Sequence, residues 1–179
     1  TRSLSSAASD VYKRQGMDSQ KTNSYGIKVF HLFDGFELQS FTSSTDTDVV
    51  FSYDADWGNT DSHFPYVYDY FSETLRDRRS FNQEFRIVSD SADFLQDSFI
   101  EWVVGANYLE LKESNFKKDD GLYGDPTDPY GPYASASSSS SRYKSSNISV
   151  FGNLDYLLSA SLKFSIGLRV EDWEANYSD

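Results

Sequence analysis

Cysteine is missing altogether from this 179-residue chain, which rules out disulfides and thiolate metal centres. Histidine occurs only at His31 and His63, neither with an acidic or nucleophilic partner at a diagnostic spacing, and there is no Gly-rich phosphate loop. No catalytic residue, metal or cofactor is therefore assigned, and the chain reads as a non-enzyme. Cations are in deficit: 16 Lys and Arg against 28 Asp and Glu leave a formal charge of −12, which disfavours nucleic acid as a partner. Long apolar runs are lacking too. None approaches the roughly 18 residues of a transmembrane helix, an absence that leaves membrane-spanning strands open.

Aromatic residues are abundant instead, with 13 Tyr, 14 Phe and 3 Trp in an otherwise polar chain. Long amphipathic strands reconcile the two, since each strand carries one wet face and one apolar face. The stretch Asn147–Glu171 shows the pattern best. Leu162, Phe164, Ile166, Leu168 and Val170 alternate with Lys163, Ser165, Gly167, Arg169 and Glu171. Before the short link 158–161, Ile148, Val150, Gly152, Leu154 and Tyr156 alternate with a more polar set in which Phe151 and Leu157 are the exceptions.

The same period recurs upstream. Tyr25, Ile27, Val29, His31 and Phe33 share a face, and Asp34-Gly35 is a strong hairpin signal. A second strand runs over 36–54 with a slip of period near 44–47, the alternation continuing to Trp57; further strands are read over 75–89 and 97–112. With 146–157 and 161–173 these predict six antiparallel strands in a meander. Residues 58–74 and 113–145 read as long loops, against short links at 34–35, 90–96 and 158–161. Short links at one end and long loops at the other are the arrangement of an outer-membrane barrel, although such barrels need at least eight strands. Thr1–Gly16 lacks any apolar period and looks like translated adapter sequence. It is treated as a non-structural or artefactual stretch, with 17–179 as one partial barrel domain.

Four short signatures occur in order: Gln83, Glu84 and Arg86; Trp102, Gly105 and Tyr108; Phe151, Gly152 and Tyr156; Leu162, Gly167 and Arg169. Together they resemble the β-barrel region of TonB-dependent outer-membrane receptors. That resemblance implies an all-β fold, a partial transmembrane antiparallel β-barrel cut from a plugged wall of 22 strands. It also implies ligand-gated import of a scarce nutrient in the outer membrane of a Gram-negative bacterium, with siderophore iron foremost and cobalamin, haem or oligosaccharide behind it. The implied partners are outer-membrane lipid, the receptor's own plug domain, a TonB-type energy transducer and a small ligand such as a ferric siderophore. A passive porin and a soluble sugar-binding β-sandwich stand as alternatives.

On the barrel reading Glu84, Arg86, Glu101, Asn153, Lys163, Arg169 and Glu171 face the lumen, pairing with one another or with trapped water. Trp102, Tyr108, Tyr156 and Trp173 read as headgroup-level or rim aromatics. His63, Tyr66, Tyr68 and Tyr70 form an aromatic outer loop whose rings suit a sugar or an aromatic chelator. Asp119, Asp120, Asp125 and Asp128 resemble a calcium loop only faintly and without the required spacing, so they read as a solvated acidic loop.

Overall fold

The structure, a computed structural model, describes residues 14–56, 58, 62–89, 100–159 and 161–179. The alternating segments form β1 (Met17–Phe33), β2 (Phe36–Asp54), β3 (Val67–Ser89), β4 (Ile100–Gly124), β5 (Tyr133–Ser159) and β6 (Leu162–Ser178). All pair antiparallel with their sequence neighbours, giving one six-stranded sheet in the order β1-β2-β3-β4-β5-β6. The Asp34-Gly35 turn closes the first hairpin with Gly35 at φ 85°, a left-handed backbone that favours glycine. The rings of Phe33 and Phe36 stack across it at 4.9 Å. Trp57, the expected turn over 90–96, the start of the fourth strand at 97–99 and Ala160 lie outside the described residues.

Two expectations are corrected. The first is closure. β1 and β6 do not pair, and both are exposed along their whole length, so the sheet is open and is not a barrel wall closed on itself. The second concerns the long loops. Tyr68 and Tyr70 lie in β3, Asp119 and Asp120 in β4, and Ser137–Ser141 in β5, all in regular register. Hydrogen bonding to a neighbouring strand overrides the weak strand preference of Ser and Asp, because each paired residue satisfies its backbone groups. The intervals between strands become 55–66 and 125–132 at one end, with 90–99 at the other. The contrast of short and long connections that suggested a barrel is therefore much weaker than the amino-acid pattern implies.

Register assigns every side chain to a face, since directly paired residues point the same way. One face carries the rows Val29–Ser40–Phe85–Ala106–Val150–Val170 and His31–Leu38–Ile87–Val104–Gly152–Leu168. Below them come Trp102–Leu154–Ile166 and Ile100–Tyr156–Phe164; above them comes Ile27–Thr42–Gln83–Tyr108–Ile148–Asp172, which ends in a charge on β6. At ~6.7 Å for each two-residue step, this apolar band is about 30 Å tall along the strands. Two rows beyond its upper edge lies Asn23–Asp46–Arg79–Lys112–Lys144–Asn176, where charge takes over.

Nothing among the described residues covers the band. Among the described residues no apolar side chain is buried, and Leu168 remains 73% and Ile166 57% exposed. Three of the polar side chains inside the band, Ser40, Thr42 and Gln83, close on one another. Thr42 donates to Gln83 Oε1 at 2.6 Å and Gln83 Nε2 donates to Ser40 at 3.2 Å. No helix among the described residues is long and apolar enough to cross a membrane, which says nothing of strands.

Amide exchange on the detergent-solubilised chain tests the open edges. Outward-pointing amides, every second residue of β1 and β6, should exchange much faster than those of β3 and β4. Uniform protection along both edge strands would show that each has a partner strand.

Candidate functional site

The face opposite the apolar band is polar, and it collects two groups of side chains. The lower group lies level with the band. Register puts Glu84, Arg86, Glu101, Asn153, Lys163, Arg169 and Glu171 together on this face. Arg86 is ion-paired with Glu84, and Arg169 with Glu171 at 2.9 Å. Lys163 bridges Asp155 at 3.0 Å and Glu101 at 3.3 Å, while Asn153 donates to Asp155 at 3.2 Å. Ser165 also donates to Asp155. Charges of opposite sign thus alternate at short range, leaving the surface well hydrated but locally near neutral.

Aromatic rings run between these charges. Lys28 lies 5.5 Å from the Phe41 ring, Arg86 5.2 Å from Phe41 and 6.0 Å from Phe151, and Arg169 5.9 Å from Phe151. Cation and ring therefore alternate from β1 to β6, each contact worth ~0.5–1 kcal/mol at such exposure. Gly105 makes the series possible. It pairs with both Arg86 and Phe151, and a Cβ there would collide with the Phe151 ring and the Phe85 carbonyl. Phe151, an apparent break in the alternation, is thereby explained: it is a ring that belongs on the wet face.

The upper group sits at the far end of β3, β4 and β5. His63 lies 4.8 Å from Tyr68, and Tyr68 4.9 Å from Tyr70. The Tyr70 ring rests over Gly121, where a side chain would strike it. Three of the four expected aromatic residues thus come together. Tyr66 remains on the turn at 59% exposure, where its backbone N–H donates to the His63 carbonyl at 2.8 Å. Tyr123 and Tyr133, which sequence reasoning missed, join the group. They pair with each other, Tyr123 pairs with Tyr68, and the Tyr123 and Tyr133 rings are 6.5 Å apart. Their signal was legible in principle: two tyrosines flank the turn-forming Asp125-Pro126-Thr127-Asp128, as hairpin partners do.

The acidic residues of this end disperse. Asp119 pairs with Lys117 at 3.0 Å and Asp120 with Lys118 at 2.7 Å, on opposite faces. Asp125 accepts from the Thr127 N–H at 2.8 Å and Asp128 from the Tyr130 N–H at 2.9 Å. Among the described residues no group of His, Asp or Glu is placed to hold a metal. Trp102, Tyr108 and Tyr156 lie at the margins of the apolar face, whereas Trp173 pairs with Asn147 on the polar face, so it does not share their margin.

Between the two groups Glu113 receives hydrogen bonds from Arg78 at 2.7 Å and Asn115 at 3.1 Å. Partial burial pushes its carboxyl up, but the Asn115 and Arg78 hydrogen bonds and the Arg78 and Arg76 charges together hold it below 4.5.

No family model matches this chain, and no curated protein is similar to it. The likeness to TonB-dependent receptors is thereby overturned, and the open sheet agrees with neither a barrel nor gated import. The physical reason lies in the signatures: each is three residues drawn from both faces of one strand, a combination too short to distinguish one amphipathic strand from another. The plug domain, energy transducer and ferric siderophore entered only through that likeness.

Two outcomes are expected. Gly105→Val should displace Phe151 and Arg86 and destabilise the sheet by about 1–3 kcal/mol, read as a lower urea midpoint. A depressed Glu113 contributes stability above its unfolded value, lost as pH falls through the lower folded one. Acidification from pH 7 to below 4 should thus weaken the outer sheet by ~1 kcal/mol or less through this group, and Glu113→Gln should remove that part of the pH dependence.

Proposed function

We propose that this sheet is one wall of a passive outer-membrane pore, with its apolar band on lipid and its polar face toward water. One observation carries the reading. The apolar side chains form a band about 30 Å tall on β4 and β5, from the Ile100–Tyr156 row to the Tyr108–Ile148 row, and it carries on at the same level in β1 and β6; the strands continue well beyond it, and its height matches the hydrocarbon thickness of a bilayer. Packing against a second sheet imposes no such limit, because a soluble core ends where the strands end. Other features agree. Trp102, Tyr156 and Phe164 lie at one margin and Tyr25, Phe81 and Tyr108 near the other, where amphipathic rings suit the headgroup level. Within the band Ser40, Thr42 and Gln83 satisfy one another and His31 lies against the Phe33 ring at 4.3 Å, while Asp172 stands at the upper edge.

Water-filled conduction follows from the lower polar group. Its carboxylates each have a cation, Lys163 serving both Asp155 and Glu101, so this face holds water without selecting strongly for one sign of charge. The two edge strands supply the pairing surfaces by which further strands would complete the wall.

Tryptophan quenching in liposomes tests the lipid contact. In variants retaining only Trp102 or only Trp173, brominated acyl chains should quench Trp102 strongly and iodide should quench Trp173. Equal response of both residues to iodide would remove the bilayer from the account. Substitution gives a second test: Ile166→Arg should cost about 2–4 kcal/mol and reduce membrane assembly, while Ser165→Arg should be far milder. Conduction is read separately, by swelling of proteoliposomes in an isotonic neutral solute. Quenching without swelling would leave a membrane sheet that is not a pore.

A further inference from the structure

We propose that the far end of the polar face is a carbohydrate-binding platform, built by Tyr68, Tyr123 and Tyr133 and taking a neutral oligosaccharide. The three tyrosines occupy one register row on three adjacent strands. At the usual strand spacing the row is about 10 Å long, the length of a disaccharide. It is open to ligand, with exposures of 38% for Tyr68, 56% for Tyr123 and 51% for Tyr133. The next row holds Tyr70, Gly121 and Ser135, so its middle carries no side chain and the Tyr70 ring fills that gap. His63 flanks Tyr68 from the turn. The result is a broad aromatic ledge with a low step beside it.

Chemistry selects the occupant. The apolar faces of sugar rings pack on aromatic rings, while sugar hydroxyls need donors and acceptors at the margin. Those are present in the tyrosine hydroxyls, in Ser135 and in Asp128, which accepts from the Tyr133 hydroxyl at 3.3 Å. Anionic ligands fit poorly. On this face Lys117 is paired with Asp119, and Asp125 and Asp128 add negative charge at the turn. A neutral polyol meets no such repulsion. The platform lies beyond the apolar band, so its test does not depend on the pore reading.

Calorimetric titration of the detergent-solubilised full chain with maltoheptaose, cellohexaose, laminarihexaose and mannohexaose provides that test. At least one should bind. Tyr68→Ala and Tyr123→Ala should each weaken that binding about 10-fold. Tyr123→Phe, which keeps the ring, should retain most of it, and Tyr66→Ala, on the turn outside the row, should leave it unchanged. Circular dichroism separates loss of the ledge from loss of the sheet. Failure of all four sugars to bind the folded wild-type chain would overturn the proposal, as would binding that survives Tyr68→Ala and Tyr123→Ala. Binding of the neutral aromatic probe catechol in place of every sugar would overturn it equally.

Discussion

A single-layer sheet has to solve its two faces separately, and that constraint governs this structure. Backbone groups are satisfied by pairing with the neighbouring strand, as the unbroken meander shows. Among the described residues no second layer or helix lies on the apolar face and no apolar side chain is buried. Burial of such a surface stabilises by about 25 cal/mol per Å², a gain that the described residues do not realise among themselves. On the pore proposal lipid would meet that need without requiring any particular side chain to interlock.

The polar face solves the opposite problem. Arg86 and Arg169 each hold a carboxylate along their own strand and a ring across strands. The carboxylate fixes the charge and the ring supports the methylene stem. Such contacts are individually weak, but they are distributed over every strand and therefore reinforce the register that creates them.

The strand period was readable wherever one face is apolar. The hairpin at Asp34-Gly35, the 36–54 strand and the run Leu162, Phe164, Ile166, Leu168 and Val170 could be placed from alternation alone, because burial against any apolar medium demands it. Sequence reasoning fell short where both faces are polar. Residues 113–124 and 133–145 carry no hydrophobic alternation, so their pairing depends on a partner strand distant in the chain, and no local pattern announces it. That omission hid Tyr123 and Tyr133 and exaggerated the loops. It also lent weight to a receptor family whose short signatures any alternating strand can imitate. The candidate site was therefore legible in its residue types and only partly in its geometry: His63, Tyr68 and Tyr70 could be named, but the row that unites two hairpins could not.

One further property follows from the serine run. Ser137–Ser141 faces Asn115–Asp119 across the β4–β5 pair, and consecutive serines are nearly indistinguishable to a neighbouring strand. This length of ladder behaves like a ruler with its markings rubbed off. A slip by one residue would turn every side chain of one strand to the other face, yet the serines themselves would resist it hardly at all. The marks that hold the alignment stand at the two ends, at the Tyr123–Tyr133 pair and in the apolar rows below. The aromatic end is thus a fiducial for a long stretch of chain that has none of its own.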